Sequence, residues 1–368
     1  MKKAKKVILI SFLAWGVILA GCSSSESEEE DPTLKEKASV TVIEDEQEGK
    51  AEETAEASAV QYYYTANEGG SISKIDAATN SVESSIEVEG SVHNVQVSPD
   101  GKMIGATVVP SMGGHGHSDG KEMSAKALFY SIESDELIQV VEVGNHPAHI
   151  VFTEDGKYAV VTNNEDNTIS IIDMKNFTVI DTVNTGKGPH GFRISDNSKK
   201  AYIANMGEDT VSVVDLESMA EEKRIKVGAA PVTTGVTSDG KTLVATLNGE
   251  NALAIVDLAT DKVEKVPVGT GPAQVYIDVK DQFAYVANQG TEEAPSKTVT
   301  VINLAAKNVT AEIETGKGSH GVVSSPDNKR VYVTNMFEDT VSIIDIVENK
   351  VIETIEVKGI PNGISITE

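Results

Sequence analysis

The stretch Gly186 to Leu216 reads GKGPHGFRISDNSKKAYIANMGEDTVSVVDL. Gly316 to Ile346 repeats it in degraded form as GKGSHGVVSSPDNKRVYVTNMFEDTVSIIDI. One copy holds four short runs. Gly191 to Ile194 is small and apolar, which suits a crowded inner strand (a). Ala201 to Ala204 (b) and Thr210 to Val214 (c) alternate and are rich in β-branched residues, as strands are. Lys223 to Val227 (d) is more polar and belongs outside. The turn Ser98-Pro99-Asp100-Gly101 returns as Thr153-Glu154-Asp155-Gly156, Thr237-Ser238-Asp239-Gly240 and Ser325-Pro326-Asp327-Asn328. Eight residues before each turn Asp, or its equivalent, stand Pro147, Pro189, Pro231, Pro272, Ser319 and Pro361, in steps of 42, 42, 41, 47 and 42. A period of about forty residues, built from short strands, predicts an all-β propeller with four-stranded antiparallel blades.

The ends give the blade count. The first copy begins at a strand b, Tyr63-Tyr64-Thr65-Ala66-Asn67, and has no strand a. The chain stops after Pro361-Asn362-Gly363-Ile364-Ser365-Ile366, a strand a with nothing behind it. Together the fragments make a seventh blade, so the first blade is closed by strands from both termini and no sheet edge stays open. Asp215 ends strand c, as Asp76, Asp173, Asp257 and Asp345 do in their copies. A carboxylate there accepts N–H bonds from the turn that follows, which is turn chemistry rather than catalysis.

Tyr332-Val333-Thr334-Asn335, with the variants Tyr202-Ile203-Ala204-Asn205, Tyr285-Val286-Ala287-Asn288 and Val160-Val161-Thr162-Asn163, resembles the YVTN family of β-propeller repeats. The resemblance covers nearly all of residues 62–368. It implies the fold and leaves function open, because members of that family serve unrelated roles.

The N-terminus is of another kind. Lys2, Lys3, Lys5 and Lys6 precede an apolar run, Val7 to Leu19, that ends in Leu19-Ala20-Gly21-Cys22. This resembles the lipobox of bacterial lipoproteins. It implies a signal peptide over residues 1–21 and a lipid on the Cys22 sulfur, with acyl chains such as palmitate. Residues 22–59 are rich in Ser, Glu and Ala and read as a disordered acidic stalk, leaving residues 60–368 for the propeller. The expected location is the extracytoplasmic face of a cell membrane, of Gram-positive type in preference to a periplasm, with attachment through the lipid. Cys22 is the one cysteine, so disulfides, thiolate nucleophiles and Cys metal ligands are excluded from the domain. The one tryptophan, Trp15, falls in the signal. A formal net charge of −26 argues against nucleic acid as a partner.

Two copies carry insertions. The blade 6 connection Gln289 to Lys297 gains a few residues. The b–c connection of blade 2 gains about a dozen, reading Pro110-Ser111-Met112-Gly113-Gly114-His115-Gly116-His117-Ser118-Asp119-Gly120-Lys121-Glu122-Met123. In an up-and-down blade the b–c and d–a loops open on one face. His115 and His117 are on the former kind of loop, and His93, His146, His149, His190 and His320 are at the latter, so all seven histidines map to one face.

Register narrows the choice. His93, His190 and His320 each stand seven residues before a turn Asp position, in blades 2, 4 and 7. Spaced at arcs of about 103°, 154° and 103°, they are expected to converge on the channel mouth. His149 is one residue further along, so its side chain is expected on the other side of its strand unless the turn compensates, and it stays among the candidate metal ligands with His115 and His117. Met112 and Met123 share the His-Gly-His loop, and Met206 and Met336 start the b–c turns of blades 4 and 7. Imidazole with thioether, outside the cell and without thiols, favours copper before zinc. The acidic turns Glu165-Asp166, Glu208-Asp209 and Glu338-Asp339 lie on the same face and either focus cations toward it or simply make hairpins. Nitrous oxide reductase is similar in fold, its propeller holding copper with histidines at one end. This chain lacks a Cys-bearing second copper domain, so that reaction is not implied. Two other readings stay open: a scaffold or adhesion-type module that binds an envelope protein partner through the same face without metal, and a propeller hydrolase or lyase. No Cys-x-x-Cys-His, Gly-x-Ser-x-Gly or glycine-rich phosphate loop is present.

Overall fold

The computed structural model describes residues 61–110 and 125–368. Cys22, Met112, His115 and His117 lie outside them, as do the expected signal and stalk and most of the blade 2 insertion. Among the described residues, twenty-eight strands form seven four-stranded antiparallel sheets. Six sheets use consecutive strands. The remaining one joins the first three strands, Tyr62–Asn67, Ser71–Asp76 and Val82–Glu87, to the last, Pro361–Ile366. The protein is a seven-bladed propeller, and both termini close its first blade.

Blade 4 shows how the repeat folds. Its strands a to d are Pro189–Ile194, Lys200–Asn205, Thr210–Asp215 and Ala220–Lys226. The outer strand begins three residues earlier than its composition implies, because Ala220 and Glu221 already pair with Asp215 and Val214. Strands b and c are buried along almost their whole length, on both faces. Each blade is sandwiched between two others, so the core is a ring of seven apolar clusters, each shared by two neighbouring blades. The Asp215 carboxylate accepts from the N–H groups of Glu217 and Ser218 at 3.1 and 2.7 Å, and Asp76, Asp173, Asp257 and Asp345 cap their turns in the same way.

The asparagine that closes strand b has a structural task. Asn205 is fully buried and donates to Thr210 and Ser212 at 2.9 Å each, tying strand b to strand c. The loop into strand a passes directly over it. A Cβ on Gly186 would lie 2.4 Å from the Asn205 amide nitrogen, which is why the GKG segment begins with glycine. The same contact recurs at Gly144, Gly269 and Gly316 over Asn163, Asn288 and Asn335.

The blade 6 insertion is not a free loop. Strands b and c lengthen to Phe283–Gly290 and Pro295–Asn303, and Gly290 pairs with Pro295. Gly290 has φ of +68°, where a side chain is strained, and this lets the hairpin close tightly.

Candidate metal centre

Strand a of every blade lines the central channel, and its first residues form the mouth. The ladder there is irregular. In blade 3, Pro147 pairs with Asn163 and Ile150 with Val161, so Ala148 and His149 together oppose the single residue Thr162. In blade 4, His190 and Gly191 oppose Ala204 in the same way, and in blade 2 His93 is itself the extra residue. These are β-bulges, which re-aim side chains that strict alternation would send apart. They supply the compensation that brings His149 to the mouth against strict alternation.

The result is a triad from three adjacent blades. One nitrogen from each of His93, His149 and His190 falls in a group no more than 4.8 Å across. Ring centroids are separated by 5.9 Å (His93–His149), 5.2 Å (His93–His190) and 5.0 Å (His149–His190). The expected convergence of His93, His190 and His320 is therefore redrawn: His149 joins the first two, and His320 is outside the group. His320 is buried in blade 7 and its Nδ1 is 3.5 Å from the Gln274 amide nitrogen. His146 is an exposed loop residue, 3.5 Å from Glu165.

Hydrogen bonds on the far sides of the rings fix the tautomers. His93 Nδ1 donates to Glu68 Oε1 at 3.0 Å, and His190 Nδ1 donates to the Val232 carbonyl at 3.2 Å. Each ring thus turns its Nε2 toward the other, and the two Nε2 atoms are 3.3 Å apart, within reach of a shared proton or of a metal ion that both ligate. His149 is 1% exposed, and neither of its nitrogens has a hydrogen-bond partner. Leaving such groups unpaired costs about 1–3 kcal/mol.

Thr162 sets two members of the triad at once. Its Oγ1 accepts from the His149 N–H at 2.9 Å and donates to the His190 carbonyl at 2.8 Å. Thr107, Thr246 and Thr334 donate to the carbonyls of Ala148, Ala273 and Asn362 in the next blades, so the threonine of the repeat joins blade to blade.

Burial, then the neighbouring imidazoles, push the His149 pKa well below its usual value. Burial first, then His93 and His320, bring His190 down to about 3, against the Val232 carbonyl. Burial and His93 bring His320 down to about 4, with Glu68 opposing. These three rings are neutral at neutral pH, the form that ligates metals. Burial pushes the Glu68 carboxyl up, but the hydrogen bonds from His93 and Asn362 outweigh it and hold the pKa at about 2. Asn362 donates to Glu68 at 2.6 Å.

Glu68 escaped the sequence reading. It follows the strand b asparagine Asn67, the slot held by Asn164, Met206, Asn248, Gln289 and Met336 elsewhere, and it is the one acid among these. Met206 is exposed, whereas Met336 is buried and its sulfur accepts from Gln289 at 3.2 Å. The acidic turns mainly tie loops together: Asp166 accepts from Asn145 N–H at 2.7 Å and Asp339 from Ile360 N–H at 2.7 Å.

Three imidazoles, one backed by a carboxylate, make a donor set suited to a first-row transition metal. A tetrahedral ion with metal–nitrogen bonds of about 2.0–2.1 Å holds its ligands about 3.3–3.4 Å apart. The His93–His190 separation already equals this, and the widest pair must close by on the order of 1 Å.

Comparison with known proteins bears on the fold. Hydrazine synthase from Kuenenia stuttgartiensis is similar at 20% identity, with a TM-score of 0.64, over 74% of this chain and 89% of that one. A protein of unknown function from Desulfotomaculum acetoxidans is similar at 13% identity, with a TM-score of 0.70, over 83% and 99%. At such identities the likeness is one of fold alone. No curated protein matches the chain. The model of YNCE-like beta-propellers matches residues 134–367, so repeat, blade architecture and match agree that this chain belongs to the YNCE-like beta-propeller family.

Proposed function

We propose that the protein is a metal-binding lipoprotein that takes up one transition-metal ion, copper before zinc, at His93, His149 and His190. The supporting observation is the pair of Nε2 atoms 3.3 Å apart, with each ring held by a hydrogen bond on its other side and His149 beside them. A metal ion bridges that pair and gives the orphaned His149 a partner. Copper is preferred because an all-nitrogen site follows the order of divalent affinities, which peaks at Cu(II). Glu68 acts behind His93 as an outer-shell carboxylate, orienting the ring and raising its basicity. The lipobox sequence ending at Cys22 supports a membrane tether and an extracytoplasmic supply of metal.

Copper analysis of the purified full-length protein after Cu(II) loading tests this. One equivalent is expected, with the electron paramagnetic resonance spectrum of nitrogen-ligated Cu(II). The combined His93→Ala, His149→Ala and His190→Ala variant is expected to hold none, and His320→Ala to hold one. Equal stoichiometry in the triple variant sinks the reading. Thr162→Val separates positioning from ligation. Valine keeps the shape but frees the His149 N–H and the His190 carbonyl, so the copper Kd is expected to weaken roughly 10-fold with stoichiometry unchanged. The interaction-module reading draws support from Leu137, Ile138 and Val140, exposed on the outer strand of blade 2, but these lie on the rim rather than at the histidine mouth.

A further inference from the structure

The far end of the channel holds a second polar cavity of about 390 Å³, whose wall includes Gln96, Glu154, Arg193, Tyr276, Ser324 and Glu368. Arg193 is on the same strand as His190, three residues on and therefore about 10 Å away along the strand. Its guanidinium donates to the Phe192 carbonyl at 3.0 Å and stacks over the Tyr276 ring, 5.6 Å from the centroid. Among the described residues Arg193 takes part in no ion pair within 4.0 Å, its one titratable neighbour of note being the Tyr276 phenol, although the chain has 57 acids against 31 lysines and arginines. Most of its five N–H donors are left to something that enters the cavity. Ser324 Oγ, in the same wall, is buried and has no partner either. A guanidinium kept in a channel wall without a counter-ion is costly unless an anion completes it.

We infer that this cavity binds a small organic monocarboxylate, its carboxylate forked by Arg193 and met by Ser324, its body against Tyr276. The planar fork of arginine matches a carboxylate in two parallel hydrogen bonds. Glu154 and Glu368 share the same wall, and burial, then Glu368 and Asp196, push the Glu154 pKa up. That local negative field penalises a phosphate dianion more than a singly charged carboxylate. The inference uses residues at the opposite end of the channel from the histidines and stands whether or not metal binds there.

Isothermal titration of the full-length protein with sodium acetate, sodium lactate and inorganic phosphate tests it. Acetate or lactate is expected to bind with a Kd of about 1 mM or tighter, the scale of one bidentate pair. Arg193→Met is expected to abolish binding, and Arg193→Lys to weaken it roughly 10-fold, since lysine keeps charge and loses the fork. Ser324→Ala, a change that leaves the blade core intact, is expected to weaken it about 5-fold. His149→Leu is expected to change nothing here, which separates this site from the metal reading. The inference is overturned if neither carboxylate binds, if phosphate binds more tightly than both, or if Ser324→Ala and Arg193→Lys both bind as the parent does.

Discussion

His149→Leu is expected to lose copper and gain stability in the same protein. Leucine has nearly the volume of histidine and no polar atoms. In the parent the imidazole is 1% exposed with both nitrogens unpartnered, so the metal-free fold carries a desolvation cost that leucine removes. Replacing an unsatisfied buried group by an apolar one of similar shape is expected to raise metal-free stability by about 1–2 kcal/mol. That corresponds to a melting temperature higher by roughly 2–8 °C. Copper affinity is expected to fall roughly a hundred- to thousandfold, one ligand's share of a site whose full set is worth about 10–16 kcal/mol. Calorimetry of the metal-free protein and a copper titration under chelator competition read the two effects separately. A merely structural histidine gives the reverse result: lower stability with the copper titration unmoved. Opposite signs are the signature of a residue held in an unfavourable state for the sake of a ligand.

Much of this was legible in the repeat. Strand order, blade number, terminal closure and turn aspartates follow from period and composition, because every blade solves the same packing problem with the same residues. The face that bears the histidines was legible too, since topology alone assigns b–c and d–a loops to one end. Which histidines meet was not. Strict alternation along strand a separates His149 from the His190 position, whereas the bulge held by Thr162 brings both to the mouth. A signal for this exists in the sequence. His190-Gly191, His320-Gly321 and Asn362-Gly363 place the bulky residue first and glycine second, whereas Ala148-His149 and Ala273-Gln274 reverse the order. A Cβ on Gly191 would meet Thr233 Oγ1 at 2.5 Å and one on Gly321 the Asn362 carbonyl at 2.3 Å. In these blades the bulge therefore has room for one large side chain at the mouth, and either slot supplies it. Glu68 and Arg193 stayed hidden for a different reason. Each is an ordinary charged residue in sequence, and only the closed ring shows that one backs a histidine and the other lacks a counter-ion.

Ending the chain after Ile360 is expected to abolish the folded domain. The lost residues form strand a of blade 1, which pairs with Tyr62–Asn67 through Tyr63–Ile366 and Thr65–Ile364. Ile364 and Ile366 pack with Tyr63, Tyr332 and Ile343 in the cluster that seals blade 1 to blade 7. Burying two isoleucines is worth about 1.5–3 kcal/mol each, and the two clasping bonds between Tyr62 and Thr367, 2.9 and 2.8 Å long, go with them. The cut also opens the inner edge of blade 1 and exposes unpaired strand hydrogen-bonding groups, an edge that invites pairing between chains. Together these losses match the 5–15 kcal/mol by which a typical domain is stable. Circular dichroism and size-exclusion chromatography are expected to show an unfolded or aggregated product, and a monomeric β-rich product refutes the closure argument. Supplying Pro361–Glu368 as a separate peptide is expected to restore folding in part. The same strand carries Asn362, which holds Glu68 behind His93, so the peptide made with Asn362→Ala is expected to rescue the fold while copper affinity stays roughly 10-fold weaker. The segment that closes the ring mechanically is also the one that completes the outer shell of the triad.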